Sequence, residues 1–204
     1  MKDGIPKKTV YRLSLYNRCL KRLSKDAGET VSSETLARVA GVKPTQLRKD
    51  LAYCGHFGKR GLGYDVRQLR QHLANTLGWA TLQPVILVGA GSLGSALLRY
   101  PEFAREGFEI VAAFDAKSQR RIEGVNISVF KMSKLPTFVR TKKIKLAILC
   151  VPASAAQEVA RELTEAGVQA ILNFAPLVLQ VPEGVSVNNV NLAIELESLG
   201  YFIQ

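Results

Sequence analysis

Pro84-Val85-Ile86-Leu87-Val88-Gly89-Ala90-Gly91-Ser92-Leu93-Gly94 decides the fold of this 204-residue chain. Five aliphatic, β-branched or ring residues make a strand-length run. The glycines that follow have the spacing G-x-G-x-x-G, and a helical stretch from Ser95 to Glu106 comes next. Strand, glycine turn and helix in that order form the dinucleotide-binding fingerprint. Gly89 allows the tight turn, Gly91 lets the backbone approach a pyrophosphate, and Gly94 lets the helix pack on its strand. The helix amides then face the phosphate charge. The next strand, Glu109 to Phe114, ends at Asp115, 21 residues after Gly94. A carboxylate there accepts from ribose hydroxyls and repels a 2′-phosphate. The expected cofactors are therefore NADH and NAD+. Lys117, Arg120 and Arg121 follow closely and leave NADP(H) open.

Towards the C-terminus the alternation continues. Ile144 to Val151 reads as a buried strand, Ser154 to Ala166 as a helix closed by Gly167, and Ala170 to Phe174 as another strand. Ligands of open α/β sheets bind beyond the carboxyl ends of strands. Val151, Pro152, Phe174, Ala175 and Pro176 therefore join Gly89, Ala90, Gly91, Ser92, Leu93, Gly94 and Asp115 as candidate cofactor contacts, although ordinary turns explain the two strand ends equally well. The tail, 191–204, carries an apolar stripe of Leu192, Leu196, Leu199, Phe202 and Ile203 that needs a partner, in its own domain or in another subunit.

Towards the N-terminus the charge changes. Residues 1–80 hold 16 of the 28 Lys and Arg but only 6 of the 17 Asp and Glu, so they carry nearly all of the +11 net charge. Such asymmetry points to a polyanionic partner for that half. Val10, Leu13, Tyr16, Leu20 and Leu23 have helical spacing over Thr9 to Lys25, and Gly28 follows. Ser32 or Ser33 caps a short second helix with Glu34 in its first turn and a buried face of Leu36, Val39 and Ala40; Gly41 stops it. Pro44 opens a third helix, to about Tyr53, that buries Leu47 and Leu51. This is helix-turn-helix spacing. Glycines around Lys59-Arg60, ahead of Tyr64, suit a basic hairpin wing, and Asp65 to Leu77 reads as one more helix. Candidate DNA contacts are Ser33, Lys43, Thr45, Gln46, Arg48, Lys49, Lys59, Arg60 and Tyr64, with Arg48 the best placed to read a base.

Other classes fit poorly. Met1 to Tyr11 is polar and basic, unlike a secretory signal, and no apolar run approaches the ~20 residues of a membrane span, so a cytoplasmic chain is expected. Cys19, Cys54 and Cys150 have no metal-ligand or disulfide spacing. Hydride-transfer enzymes need a group to handle the substrate proton, most often His. Both histidines, His56 and His72, lie in the basic half. The sheet is thus expected to bind a dinucleotide without transforming it, and no catalytic or metal site is assigned. A CoA- or nucleotide-binding regulator, or a small NAD(P)-dependent reductase, remain the alternatives.

Several stretches together resemble the Rex family of redox-sensing transcriptional repressors. They are Ser32-Ser33-Glu34, Val39-Ala40-Gly41-Val42, Leu47 to Tyr53, Gly61 to Val66, Val88 to Leu97, and Asn173-Phe174-Ala175-Pro176. The resemblance covers almost the whole chain. It implies a winged helix-turn-helix at 1–80, a Rossmann-like parallel sheet at 81–190, and a C-terminal helix at 191–204 exchanged within a homodimer. It also implies binding to palindromic operators and their release when NADH binds, with NAD+ competing. The family usually has Asp and then Phe after Asn188-Asn189-Val190, where this chain has Asn191 and Leu192. That Asp is expected to pair with an Arg of the first helix, here Arg18, or a Tyr of the first Rossmann helix, here Tyr100. Asn191 can hydrogen-bond to either but cannot form the ion pair.

Overall fold

The computed structural model describes residues 4–26, 30–55, 58, 62–78, 82–117 and 122–203. Its contacts divide the chain into two units, Met1–Thr81 and Leu82–Gln204.

The first unit opens with α1 (Lys7–Asp26). Leu13, Tyr16 and Leu20, spaced by three and four, are fully buried, while Val10 sits at the edge of the apolar face and is half exposed. After β1 (Thr30–Val31), α2 (Ser33–Val39) begins where the Ser32 hydroxyl accepts the Thr35 N–H at 3.0 Å. Gly41, at φ +67°, turns the chain into α3 (Pro44–Ala52), with Pro44 in its first turn. Then come β2 (Tyr64–Asp65), antiparallel to β1, and α4 (Val66–Leu77), which Asp65 caps by accepting the Gln68 N–H at 2.8 Å. Leu36, Leu47, Leu51, Leu69 and Leu73 close one core with α1. The expected buried face of α2 was wrong at one position. Ala37 is buried and Val39 is exposed, because the inward face is rotated towards position 37, away from 39.

The second unit is a six-stranded sheet in the order β5-β4-β3-β6-β7-β8 with every neighbour parallel. Its elements are β3 (Gln83–Val88), α5 (Ser92–Leu98), α6 (Glu102–Arg105), β4 (Phe108–Asp115), β5 (Val129–Lys131), α7 (Leu135–Lys142), β6 (Leu146–Leu149), α8 (Ala153–Ala166), β7 (Ala170–Asn173), β8 (Ser186–Asn189) and α9 (Leu192–Gly200). Helices cover both faces. Ile86 and Val88 pack towards α7 and α8, and Val85 and Leu87 towards α5 and α6. Alternate residues of one strand are buried on opposite sides, which is why Pro84 to Val88 has no polar gap.

Two details depart from the sequence reading. The helix expected over Ser95 to Glu106 starts three residues earlier and is broken, because Pro101 disfavours helical geometry at Tyr100. Helix α7 and the edge strands β5 and β8 had no counterpart in it. Among the described residues no helix is long and apolar enough to cross a membrane, and no group of His, Cys, Asp or Glu is arranged for a metal ion.

Candidate functional site

The chain runs β3, β4, β5 to one side of the sheet and β6, β7, β8 to the other. The crevice at such a reversal is the ligand site of open α/β sheets. Gly89 lies at the end of β3 and Cys150 follows β6, whose N–H donates to the Val88 carbonyl at 2.7 Å. The Phe174 N–H donates to the Leu149 carbonyl at 2.9 Å, so the expected loops at 89–94, 151–152 and 174–176 lie together at the carboxyl ends of neighbouring strands.

The three fingerprint glycines are constrained differently. A Cβ on Gly89, at φ +96°, would strike the Cys150 carbonyl, and one on Gly94 would strike the Gly89 carbonyl. The fold itself therefore excludes side chains there. At Gly91 the backbone is ordinary, with φ −67°, and a Cβ would meet nothing within 4 Å. Nothing in the chain itself requires glycine at 91. An approaching pyrophosphate does, so the loop fits a dinucleotide. Ser92, Leu93 and Gly94 form the first turn of α5, whose leading amides have no intrahelical acceptor. The Ser95 hydroxyl donates to the Ala90 carbonyl at 2.8 Å and fixes the loop from behind.

Asp115 ends β4 as expected, and its carboxylate is bonded within the chain. One oxygen accepts the Ala90 N–H at 2.7 Å and the other the Lys117 N–H at 2.8 Å. A carboxylate has about four acceptor positions, so one on each oxygen remains for ribose hydroxyls. Arg120 and Arg121 lie outside the described residues. Val151 is half buried with Cγ1 against Gly89, and Pro152 and Pro176 are exposed. The Ala175 side chain is in the core, and its N–H and carbonyl both bond the Asn173 amide, at 2.9 and 3.2 Å. The fully buried Asn173 was not anticipated. It also donates to the Leu177 carbonyl at 2.8 Å and to Asn189 Oδ1 at 2.9 Å, and so shapes the loop that carries Phe174 and Pro176.

In the first unit, α3 exposes Thr45, Arg48 and Lys49, and Lys43 is exposed at its cap. Arg48 donates to the Ser33 hydroxyl at 2.9 Å and lies 3.3 Å from Glu34. The Glu34 carboxyl is held below the usual range by its own backbone N–H, the Ser33 hydroxyl and the Arg48 charge. Two expected DNA contacts are engaged within the protein. Tyr64 is buried, its ring packed where Gly58 passes and its hydroxyl pushed up by burial. Gln46 turns inward and donates to Asp50 at 2.9 Å. Lys59 and Arg60 lie outside the described residues.

Asp50 was missed altogether. It is 1% exposed and accepts from Arg12, Tyr16 and Gln46. No periodicity marks such a residue, because two of these partners stand 34 and 38 positions away. Of the expected switch residues, Arg18 is exposed on α1, and Tyr100 meets Phe103 edge-on at 5.2 Å. Asn191 is a helix cap: its oxygen accepts the N–H groups of Ala193 and Ile194 at 3.0 and 3.3 Å. Helix α9 exposes Leu192, Ile194, Leu196 and Leu199, and the turn after it exposes Tyr201, Phe202 and Ile203.

Residues 4–52 match the family described as "Putative DNA-binding protein N-terminus", and residues 81–177 match "CoA binding domain". A redox-sensing transcriptional repressor Rex from Desulforamulus reducens is 44% identical over 200 residues, 97% of this chain and 94% of the relative. The Rex repressor of Streptomyces coelicolor is 45% identical over 202 residues, 98% of this chain and 78% of that protein. The crystal structure of RSP in complex with β-NAD+ and operator DNA matches with a TM-score of 0.91 and 34% identity, over 99% of this chain and 94% of the other. RSP in complex with β-NADH matches with a TM-score of 0.85 and 33% identity, over 99% and 95%. With identities of this size over nearly its full length, the chain belongs to the Rex family of redox-sensing transcriptional repressors.

Proposed function

We propose that this protein is a cytoplasmic transcriptional repressor, not an enzyme, that binds palindromic operator DNA and lets it go when NADH is bound. The observation that carries this reading is Gly91, a glycine with open space before it, between Gly89 and Gly94 where carbonyls leave no room for a side chain. In the same chain the first unit exposes Arg48 and Lys49 on a helix-turn-helix. The residues proposed to hold the dinucleotide are Gly89 to Gly94, Asp115, Val151, Pro152, Phe174 and Pro176. The nicotinamide ring reports the cell's redox poise by its own oxidation state. The chain's residues bind it, position its pyrophosphate and ribose, and discriminate against a 2′-phosphate through Asp115.

A cysteine-based redox switch is disfavoured. Burial pushes the Cys150 thiol up to about 12 and raises Cys19 and Cys54 as well, so all three stay protonated rather than reactive. The apolar side chains exposed along α9 support a homodimer in which this helix packs on the partner subunit. Two recognition helices then meet two major grooves only if their separation matches a helical turn of DNA, roughly 34–36 Å, or a multiple of it. Deleting residues 195–204 is expected to abolish the dimer in sedimentation and tight operator binding with it.

The test is a shift assay at fixed salt, using a duplex that the wild-type chain selects from a randomised library, across the NADH/NAD+ ratio. The complex should dissociate as NADH replaces NAD+. By linkage, operator must weaken NADH binding by the same factor. Retention of the duplex at every ratio would overturn the reading. So would steady consumption of NADH absorbance with a small carbonyl substrate, which would make the protein a reductase.

A further inference from the structure

Helix α3 is joined to α1 by an ionic contact at the margin of the apolar core, with Asp50 buried and Arg12 partly exposed. Arg12 meets Asp50 side-on, Nε at 2.6 Å from Oδ2 and Nη2 at 2.7 Å from Oδ1. The Tyr16 hydroxyl donates to Oδ2 at 2.7 Å and the Gln46 amide to Oδ1 at 2.9 Å. Thr9 Oγ1 stands 3.4 Å from Oδ1 and accepts from Arg12 at 3.2 Å. Thr9, Arg12 and Tyr16 are spaced by three and four, so one face of α1 surrounds the carboxylate. Burial alone would raise the Asp50 carboxyl, but the donors and the Arg12 charge hold it below its ordinary value.

Stability does not explain such a pair. Replacing a buried ion pair by apolar residues of similar volume is often neutral or stabilising, and the best-attested use of buried charge is to fix register. Apolar contact is non-directional, so Leu47 and Leu51 remain buried through a modest rotation of α3. A guanidinium fork on a carboxylate fixes direction. Arg48 lies two residues before Asp50, roughly 200° round the helix, so any rotation at Asp50 swings Arg48 through the same angle. Bidentate base reading depends on that angle. Attraction to phosphates, which dominates unselective binding, depends on it little.

We propose that Asp50 and Arg12 are positioning residues for operator reading: their ionic joint sets the rotation of α3, and through it the selectivity for operator over other DNA. This rests on the reading of α3 as the recognition helix.

The test uses full-length protein, the duplex selected by the wild-type chain, and a shuffled duplex of equal length and composition. Arg12→Met combined with Asp50→Leu replaces the joint by apolar packing. The variant is expected to fold, to titrate NADH as wild type does, and to bind the shuffled duplex unchanged, while the operator-to-shuffled affinity ratio falls at least tenfold. Arg12→Lys, which keeps the charge and loses the fork, should lower the ratio in the same direction by less. A merely structural joint would instead move the melting temperature and leave the ratio alone. A ratio within twofold of wild type in the double variant overturns the proposal, and if that variant does not fold the same result in Arg12→Lys does so. Arg48→Ala is the control. If it lowers the ratio while the joint variants do not, the joint inference alone fails. If it too leaves the ratio unchanged, the recognition-helix reading fails and the joint with it.

Discussion

Each unit buries a polar side chain at a decisive point, and the two differ in kind. Asp50 carries a charge and is satisfied by partners from a helix 34 to 38 residues away and from Gln46 on its own helix. Asn173 is neutral and is satisfied by Ala175, Leu177 and Asn189, two to sixteen residues away. A buried charge demands an opposite charge, and here it comes from a different helix. A buried amide can be completed by the loop next to it. The first therefore orients helices, and the second gives shape to a loop.

The largest effect separating them is expected from Asp50→Ala. It leaves the partly exposed Arg12 without its carboxylate and the buried Tyr16 hydroxyl without its acceptor, and should destabilise the Met1–Thr81 unit by about 3 kcal/mol. Denaturant unfolding followed by amide exchange in α1 and α3 checks this, and the Leu82–Gln204 unit should keep its protection. Acid sharpens the contrast. The Asp50 carboxyl has a lowered folded value, so its contribution is complete above the ordinary carboxylate value of about 3.9 and is lost as pH falls through the lower folded value. The same exchange experiment through that window should show α1 and α3 loosening. Asn173 has no charge to lose and gives β7 no such dependence.

Asn173→Ala should cost about 1–3 kcal/mol, the penalty for unpaired buried groups of the 175–177 turn, and should weaken NADH with it. Calorimetry of the variant with and without NADH measures both. The smallest change in stability belongs to Gly91→Ala. Its backbone geometry suits alanine, so melting should be unchanged or raised by about 0.4–1 kcal/mol, yet NADH titration should be severely weakened. Full NADH affinity in that variant would remove the basis for the dinucleotide reading.

The sheet of the second unit was legible where one residue type has one job. Val85 to Val88 are buried on both faces and read as an unbroken apolar run, and Gly89 and Gly94 stand where carbonyls leave no room for Cβ. Legibility failed where partners are remote or signals compete. The break before Pro101 was written in the sequence, but the helical pattern on either side masked it. Strand β5 has three residues, too few to show alternation, and β8 is polar along an edge. Tyr64 beside a basic loop looked like a DNA contact, yet pairing of β2 with β1 turns its ring into the core. Asp50 sat among Arg48, Lys49 and Leu51 as one more helix-surface charge. Only the folded arrangement of α1 shows what it holds.

Asp115 has a consequence for anyone seeking to change this protein's cofactor. Because the carboxylate proposed to meet the ribose also ties down Ala90 and Lys117, preference and loop shape would be one inherited trait rather than two adjustable ones. Exchanging Asp115 for a residue that welcomes a 2′-phosphate unfastens the glycine turn in the same stroke. A redesign for NADP(H) would have to rebuild the support of Ala90 before altering the charge, and a lineage drifting towards that cofactor would face the same order of steps.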